Sequence, residues 1–195
     1  HNSELISGPF GEGLQTDSVL SFLKKRQGLL DGVCVSGGEP LLQPDIEEFL
    51  RAVKELGYRV KLDTNGGFPD KLERLVRAGL VDYVAMDIKN TPEKYALTCG
   101  LNECDMTPYI ASVNFLLSGL VDYEFRTTVV REFHTFEDIL QIAKWLKGAQ
   151  HYYLQCFVER DQVRDTSLSA YNEEEMKRVC QAAQAYLPCT TLRGI

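Results

Sequence analysis

Several features of other protein classes are scarce in this sequence. No apolar run approaches the roughly 20 residues of a membrane-spanning helix, so we expect no contact with a membrane. Basic residues are outnumbered, with 21 Lys and Arg against 28 Asp and Glu and a net charge of −7. Because nucleic-acid binding depends on neutralising phosphates with basic side chains, this balance argues against a nucleic-acid partner.

Familiar catalytic signatures are also missing. The chain has no Walker phosphate site, because no Lys-Ser or Lys-Thr pair follows its glycines. Ser36 lacks the Gly-x-Ser-x-Gly setting of a hydrolase nucleophile. Only three histidines occur, and neither His134 nor His151 stands beside a nucleophile or a second metal ligand. We therefore expect both at the surface. A barrel enzyme acting on a phosphorylated metabolite ranks last among the functions we consider.

Six cysteines occur in a chain of 195 residues, of which 44% are hydrophobic. A chain of this size and composition can form its own core, and we expect residues 1–195 to form one domain. No secretory signal is apparent, so we expect reduced thiols and a cytoplasmic location. Cys34 and Cys156 lie in predicted strands and are expected in the core, whereas Cys99 and Cys104 lack the second pair of a typical metal site.

Strand-like and helix-like segments alternate along the chain. Strands are predicted at residues 33–35, 58–63, 81–89, 122–130 and 151–157, and the segment 190–194 is compatible with a short sixth strand. The alternation predicts a parallel sheet with right-handed crossovers, either an open doubly wound sheet or a partial barrel. Polar side chains at the ends of five strands favour the barrel, because an open sheet gathers its site at one switch point.

The segment Ser-Gly-Gly-Glu-Pro follows the first predicted strand. Gly37 and Gly38 would allow the backbone to approach a ligand closely, and Glu39 would direct a carboxylate into the same crevice, where it could receive an amine. For the glycine pair taken alone, an ordinary tight turn is the favoured explanation. In the next strand-end segment, Asp63, Thr64 and Asn65 could together hold an amine, a ribose hydroxyl or a hard cation, or Asp63 and Asn65 could act as turn formers.

Charged residues interrupt two later strands. Asp87 and Lys89 alternate and therefore face the same side of their strand. Arg126 lies on the next strand, where it could bind a carboxylate or a phosphate. Internal ion pairs are the alternative explanation for all three residues, because buried charges are costly unless they are paired. Gln155 adds a polar side chain to the strand after that.

The order of these segments is more informative than any one of them. SGGEP, then DTNG, then MDIK, then an arginine on the following strand, resembles the radical S-adenosylmethionine (SAM) superfamily. The initial HNSELISG resembles the residues that follow the Cys-x-x-x-Cys-x-x-Cys motif in activases of glycyl radical enzymes. Over about residues 1–157 the sequence most resembles the activases of anaerobic ribonucleoside-triphosphate reductase.

The resemblance implies an α/β fold of the radical SAM type, a partial (β/α)6 TIM-like barrel. Its first strand and its cluster loop, with three cysteines for a 4Fe–4S cluster, would precede His1. Residues 1–195 would then contain no catalytic or cluster-ligating residue and would be inactive without that motif. The implied cofactors are the cluster, SAM and, in some members, a monovalent cation.

The resemblance also implies site residues in this chain. Gly37, Gly38 and Glu39 would hold the amino group of SAM. Asp63, Thr64 and Asp87 match a group of residues near SAM, which in some members also holds the cation. Lys89 and Arg126 would meet its carboxylate or ribose. Gln155 stands where some relatives have a histidine that contacts SAM.

The implied activity is the reductive cleavage of SAM to generate a glycyl radical on anaerobic ribonucleotide reductase. Flavodoxin or ferredoxin would supply the electron. Two alternatives remain: activation of pyruvate formate-lyase or another glycyl radical enzyme, and a cluster-free domain that binds SAM or a nucleotide.

Overall fold

A parallel sheet of six strands organises the molecule. The computed structural model describes residues 15–158 and 167–194. The strands are β1 Gly32–Val35, β2 Arg59–Thr64, β3 Tyr83–Asp87, β4 Asp122–Val129, β5 Tyr152–Cys156 and β6 Thr190–Arg193. Each strand pairs with the next one along the chain, so that the spatial order is the sequence order.

One helix, α1 Thr16–Lys24, precedes β1, and the other helices connect successive strands. These are α2 Ile46–Glu55, α3 Pro69–Arg77, α4 Tyr95–Cys99, α5 Thr107–Leu117, α6 Phe136–Trp145 and α7 Glu173–Gln184, with 3-10 turns at Pro40–Leu42 and Pro92–Lys94. Because parallel crossovers are right-handed, an unbroken strand order places these helices on one face of the sheet. The order contains no reversal, so the structure lacks the switch point of a doubly wound sheet within the described residues.

The two faces of the sheet differ sharply in chemistry. On the helix side, alternate strand residues such as Leu62, Val84, Phe125 and Leu154 are buried in one continuous core with the helices. The residues between them point the other way, and many are charged or polar. We call this second side the inner face. Alternation of side chains along a strand therefore separates the core from the inner face.

The partial-barrel prediction is confirmed, and the sheet is open rather than closed. The short sixth strand predicted near the end of the chain is present as β6. The third strand is shorter than predicted and ends at Asp87 instead of Lys89. The expected first strand and cluster loop lie outside the described residues. Within those residues, no helix combines the length and apolarity needed to cross a bilayer.

Candidate SAM-binding site

Strand register brings the predicted charged residues together on the inner face. Asp87 of β3 lies directly opposite Arg126 of β4, and Asp63 of β2 lies opposite Ala85, two residues before Asp87. Side chains at paired positions of a parallel sheet point to the same side. The three charged side chains therefore meet although 63 residues separate the first from the last.

Arg126 is the centre of this cluster. Its Nη1 lies 3.1 Å from Oδ2 of Asp63, and its Nη2 lies 2.9 Å from Oδ1 of Asp87. Its Nε also donates to the same Asp87 oxygen at 3.0 Å. The Arg126 side chain is only 12% exposed. A planar guanidinium with several donors suits this bridging of two carboxylates, which a lysine could not reproduce.

Two lysines complete the cluster at its edges. Lys61 Nζ lies 2.5 Å from Oδ1 of Asp63, and Lys89 Nζ lies 3.0 Å from Oδ2 of Asp87. Burial alone would raise the pKa of both aspartates. The hydrogen bonds and charges of Lys61 and Arg126 outweigh burial and lower the pKa of Asp63, and those of Lys89 and Arg126 lower the pKa of Asp87. Both carboxylates are thus held in their charged form.

Glu39 joins the ends of β1 and β2. Its Oε1 accepts from the backbone N–H of Leu41 at 3.1 Å and from Oγ1 of Thr64 at 2.9 Å, and its Oε2 accepts from the N–H of Asn65 at 2.7 Å. Burial raises the pKa of Glu39, and the three donors offset part of that effect. Since a carboxylate oxygen can accept two hydrogen bonds, Oε2 retains one acceptor position for a ligand amine.

The glycines beside Glu39 have distinct roles. Gly37 has a φ of 140°, which side-chain-bearing residues rarely adopt, so glycine is required there by backbone conformation. Gly37 and Gly38 are both exposed at the end of β1. At the end of β2, Gly66 has a φ of 81°, which again favours glycine, and a Cβ there would displace Cε of Met86. Asn65 is a turn former, because its Oδ1 accepts from the N–H of Gly67 at 2.8 Å.

Gln155 is close to the cluster in register but does not join it. It lies opposite Thr128 on β4 and Arg193 on β6. Among the described residues, its side chain forms no hydrogen bond with the aspartates or with Arg126. It remains a polar group on the inner face at the C-terminal end of β5.

A second ion-pair group on the inner face is missing from the sequence predictions. Both oxygens of Glu124 accept from Arg193, at 2.8 and 2.9 Å, and Tyr83 donates to Glu124 at 3.1 Å. The guanidinium of Arg193 also stacks over Tyr153, with 3.7 Å from its carbon to the ring centroid. Glu124 is two residues before Arg126, and this alternation on β4 is the signal that could have identified it.

Two predictions from the sequence are wrong. His134 is 1% exposed rather than at the surface, because its ring is enclosed between the segments that follow β3 and β4. Cys34 is exposed rather than in the core, because it points to the inner face, where its Sγ lies 3.7 Å from Oδ1 of Asp63. All six cysteines are free thiols.

The chemistry of this site suits a zwitterionic ligand. Amine, carboxylate and hydroxyl groups could each find a partner among the carboxylates and cations at the ends of β1 to β4. The described residues include no group of three or more potential metal ligands. The charged groups of the site are compatible with a zwitterion such as SAM, whereas the described residues do not supply the ligands of an iron–sulfur cluster.

Comparisons with known proteins agree with this fold. Residues 14–152 match the radical SAM superfamily. A Methanocaldococcus jannaschii protein, named as a member of the glycyl-radical enzyme activating enzymes, is 34% identical over 171 residues, covering 85% of this chain and 71% of that protein.

Solved structures show the same architecture at low sequence identity. A domain of a pyruvate-formate lyase-activating enzyme from Bacteroides vulgatus has a TM-score of 0.67 at 18% identity, covering 85% of this chain and all of that domain. Streptococcus suis SuiB bound to SAM has a TM-score of 0.74 at 14% identity, covering 94% of this chain and 44% of SuiB. The length of the superfamily match, together with the 34% identical relative, shows that this chain belongs to the radical SAM superfamily.

Proposed function

We propose that the protein is a radical SAM activating enzyme that generates a glycyl radical on a partner enzyme. The observation that carries this proposal is the cluster in which Arg126 bridges Asp63 and Asp87 beside Lys89, at the C-terminal ends of parallel strands. Active sites of barrel folds form at that end of the strands. The name of the Methanocaldococcus jannaschii relative supports the choice of activating enzyme within the superfamily.

The residues of this chain would hold SAM by complementary charge. Lys89, whose side chain is 37% exposed, would bind the carboxylate of SAM. Arg126, which is more deeply buried beside the same Asp87, would add a second positive charge to this part of the site. The free acceptor position on Glu39 would receive the amino group, and Asp63 or Asp87 would accept from the ribose hydroxyls. Gly37 and Gly38 would leave space for the ligand beside Glu39. The reductive cleavage of SAM supplies the hydrogen-abstracting chemistry of this superfamily.

Two implied cofactors fit less well. Arg126, Lys61 and Lys89 together already neutralise Asp63 and Asp87, which leaves no uncompensated charge for a monovalent cation between them. Cluster ligands are absent from the described residues. The contribution of this part of the chain is to bind and orient SAM, with the two aspartates kept charged.

The partner would be a protein that presents a glycine to the open inner face. We propose anaerobic ribonucleotide reductase as that partner, with flavodoxin or ferredoxin as the electron donor and a cytoplasmic location. The proposal rests on the sequence resemblance described above. Pyruvate formate-lyase is the second candidate, because a pyruvate formate-lyase-activating enzyme of Listeria monocytogenes is 42% identical over 73 residues, which cover 33% of this chain and 29% of that enzyme.

An anaerobic activation assay tests the proposal. The holoenzyme with its cluster would be mixed with SAM, reduced flavodoxin and either partner, and the partner examined by electron paramagnetic resonance. We expect 5′-deoxyadenosine and a glycyl radical signal on one partner. The Lys89→Met variant should need at least about tenfold more SAM, because one charge-assisted contact is lost. SAM cleavage without a radical on either partner would refute both named partners, and SAM binding without cleavage would refute the activase assignment and favour the cluster-free alternative.

A further inference from the structure

The backbone segment that carries Asp87 and Lys89 is held in an unusual way. Strand β3 ends at Asp87, and the N–H of Ile88 beyond it still donates to the carbonyl of Arg126 at 2.8 Å. In addition, the three successive carbonyl groups of residues 87–89 each accept a hydrogen bond from a side chain. Tyr95 Oη donates to the carbonyl of Asp87 at 3.4 Å, and Thr127 Oγ1 donates to that of Ile88 at 2.9 Å. His134 Nε2 donates to that of Lys89 at 2.8 Å.

All three donors are buried and come from different elements. Tyr95 is 0% exposed, and Thr127 and His134 are each 1% exposed. Tyr95 begins α4, Thr127 belongs to β4, and His134 precedes α6. Buried polar side chains are costly unless they form hydrogen bonds, and here each satisfies a different carbonyl of the same short segment.

His134 makes the strongest of these contacts. Its Nε2 faces the Lys89 carbonyl, which can only accept, so Nε2 carries the proton of the neutral ring. Its Nδ1 then accepts from the backbone N–H of Val130 at 3.1 Å and also lies 3.2 Å from the carbonyl oxygen of that residue. Burial lowers the pKa of His134, which keeps the ring neutral and preserves this donor and acceptor arrangement. The ring therefore links the segment after β3 to the segment after β4.

We propose that Tyr95, Thr127 and His134 form a backbone clamp that fixes the direction in which Asp87 and Lys89 present their side chains to SAM. His134 is thus a positioning residue rather than a catalytic one. The inference rests on the proposed function, since it takes Lys89 as a contact of SAM. Binding through Lys89 must order its side chain, which has four rotatable bonds. A backbone that is already fixed at residues 87–89 spares the further cost of ordering the main chain.

A double-mutant cycle on SAM affinity tests the clamp. SAM binding to the holoenzyme would be measured by equilibrium dialysis without reductant for wild type, His134→Phe, Lys89→Met and the double variant. We expect each single variant to weaken SAM binding about tenfold, and the double variant to bind SAM about as weakly as Lys89→Met alone. The exposed His151 provides the matched control, and His151→Phe should leave the affinity unchanged.

A second measurement separates positioning from general stability. Hydrogen exchange of the amides in residues 88–91 and of Val130 should be faster in His134→Phe, while amides in the core of β2 keep their wild-type rates. Should His134→Phe not fold, Tyr95→Phe removes only one hydroxyl, and we expect a smaller loss of SAM affinity, about threefold, that likewise disappears in the Lys89→Met background.

The outcomes distinguish the clamp from the function on which it rests. Additive losses in the double variant, or an unchanged SAM affinity of His134→Phe beside a weakened Lys89→Met, would refute the clamp alone. An unchanged SAM affinity of Lys89→Met would refute the proposed role of Lys89, and the clamp with it.

Discussion

Replacing Arg126 with methionine is expected to lower the free energy of unfolding at pH 7 by about 3 kcal/mol, because breaking a buried ion pair leaves its partner unpaired. Here two carboxylates lose their shared guanidinium, and only Lys61 and Lys89 remain to neutralise them. Asp87 keeps a 32% exposed side chain, which limits the loss. We also expect SAM to bind at least about tenfold more weakly, since the site loses one charge-assisted contact.

The effect of this variant on stability should depend on pH. In the wild type, Arg126 and the neighbouring lysines Lys61 and Lys89 lower the pKa values of Asp63 and Asp87 below the unfolded value of about 3.9. Their contribution to stability is therefore present above that value and is lost as the pH falls through the lower folded pKa. Without Arg126 the two pKa values rise, so the difference in stability between wild type and variant should be largest at pH 7 and shrink as the pH falls below about 4.

Urea unfolding at pH 7 and at about pH 3.5 measures this difference. The exposed Arg51, which pairs with Glu47 one helical turn away at 3.2 Å, provides the control. Arg51→Met should change the free energy of unfolding by no more than about 0.5 kcal/mol at either pH. An Arg126→Met variant as stable as the wild type, or equally destabilised at both pH values, would contradict the interpretation of Arg126 as the bridge.

Replacing Glu39 with alanine is expected to cost about 3 kcal/mol of stability at pH 7, because three buried donors lose their acceptor. The donors are the Thr64 hydroxyl and the N–H groups of Leu41 and Asn65. The ends of β1 and β2 would then be joined only through the sheet. Since the ligand amine also loses its carboxylate, SAM affinity should fall by at least about tenfold.

The pH dependence of the Glu39 variant should have the opposite sign. Burial raises the pKa of Glu39 in the folded state, so its contribution to stability is largest below the unfolded pKa and decreases as the pH rises through the folded value. The stability difference between wild type and Glu39→Ala should therefore grow as the pH falls from 7 to about 4.5. Glu48 is exposed on α2, and Glu48→Ala should stay within about 0.5 kcal/mol of wild type. A difference that shrank on acidification would overturn the assignment of Glu39.

The sequence predicted those parts of the structure that depend on local periodicity. Strand and helix alternation predicted the parallel order, and the two-residue spacing of Asp87 and Lys89 predicted that their side chains meet. They do, although β3 ends at Asp87 and Lys89 belongs to the segment that follows. The ends of successive parallel strands meet at one edge, so Glu39, Asp63 and Arg126 could be expected near one another.

The contacts that depend on strand register could not be predicted. The pairing of Glu124 with Arg193 joins residues 69 positions apart, and Arg193 lies in a C-terminal segment that carries none of the motifs on which the resemblance rests. His134 has no local pattern that marks it as buried, because the carbonyl it meets belongs to a segment 45 residues earlier. Burial of a polar residue depends on tertiary packing rather than on its neighbours in sequence.

The proposed SAM site lies at the C-terminal ends of the strands on the inner face. Hydrogen–deuterium exchange of the holoenzyme with and without SAM locates the bound ligand. We expect slower exchange in peptides that contain residues 36–41, 63–67, 87–90 and 126–130, and unchanged exchange at the N-terminal ends of β2 and β4. Protection confined to those N-terminal ends, or no protection by SAM at all, would overturn the proposed site.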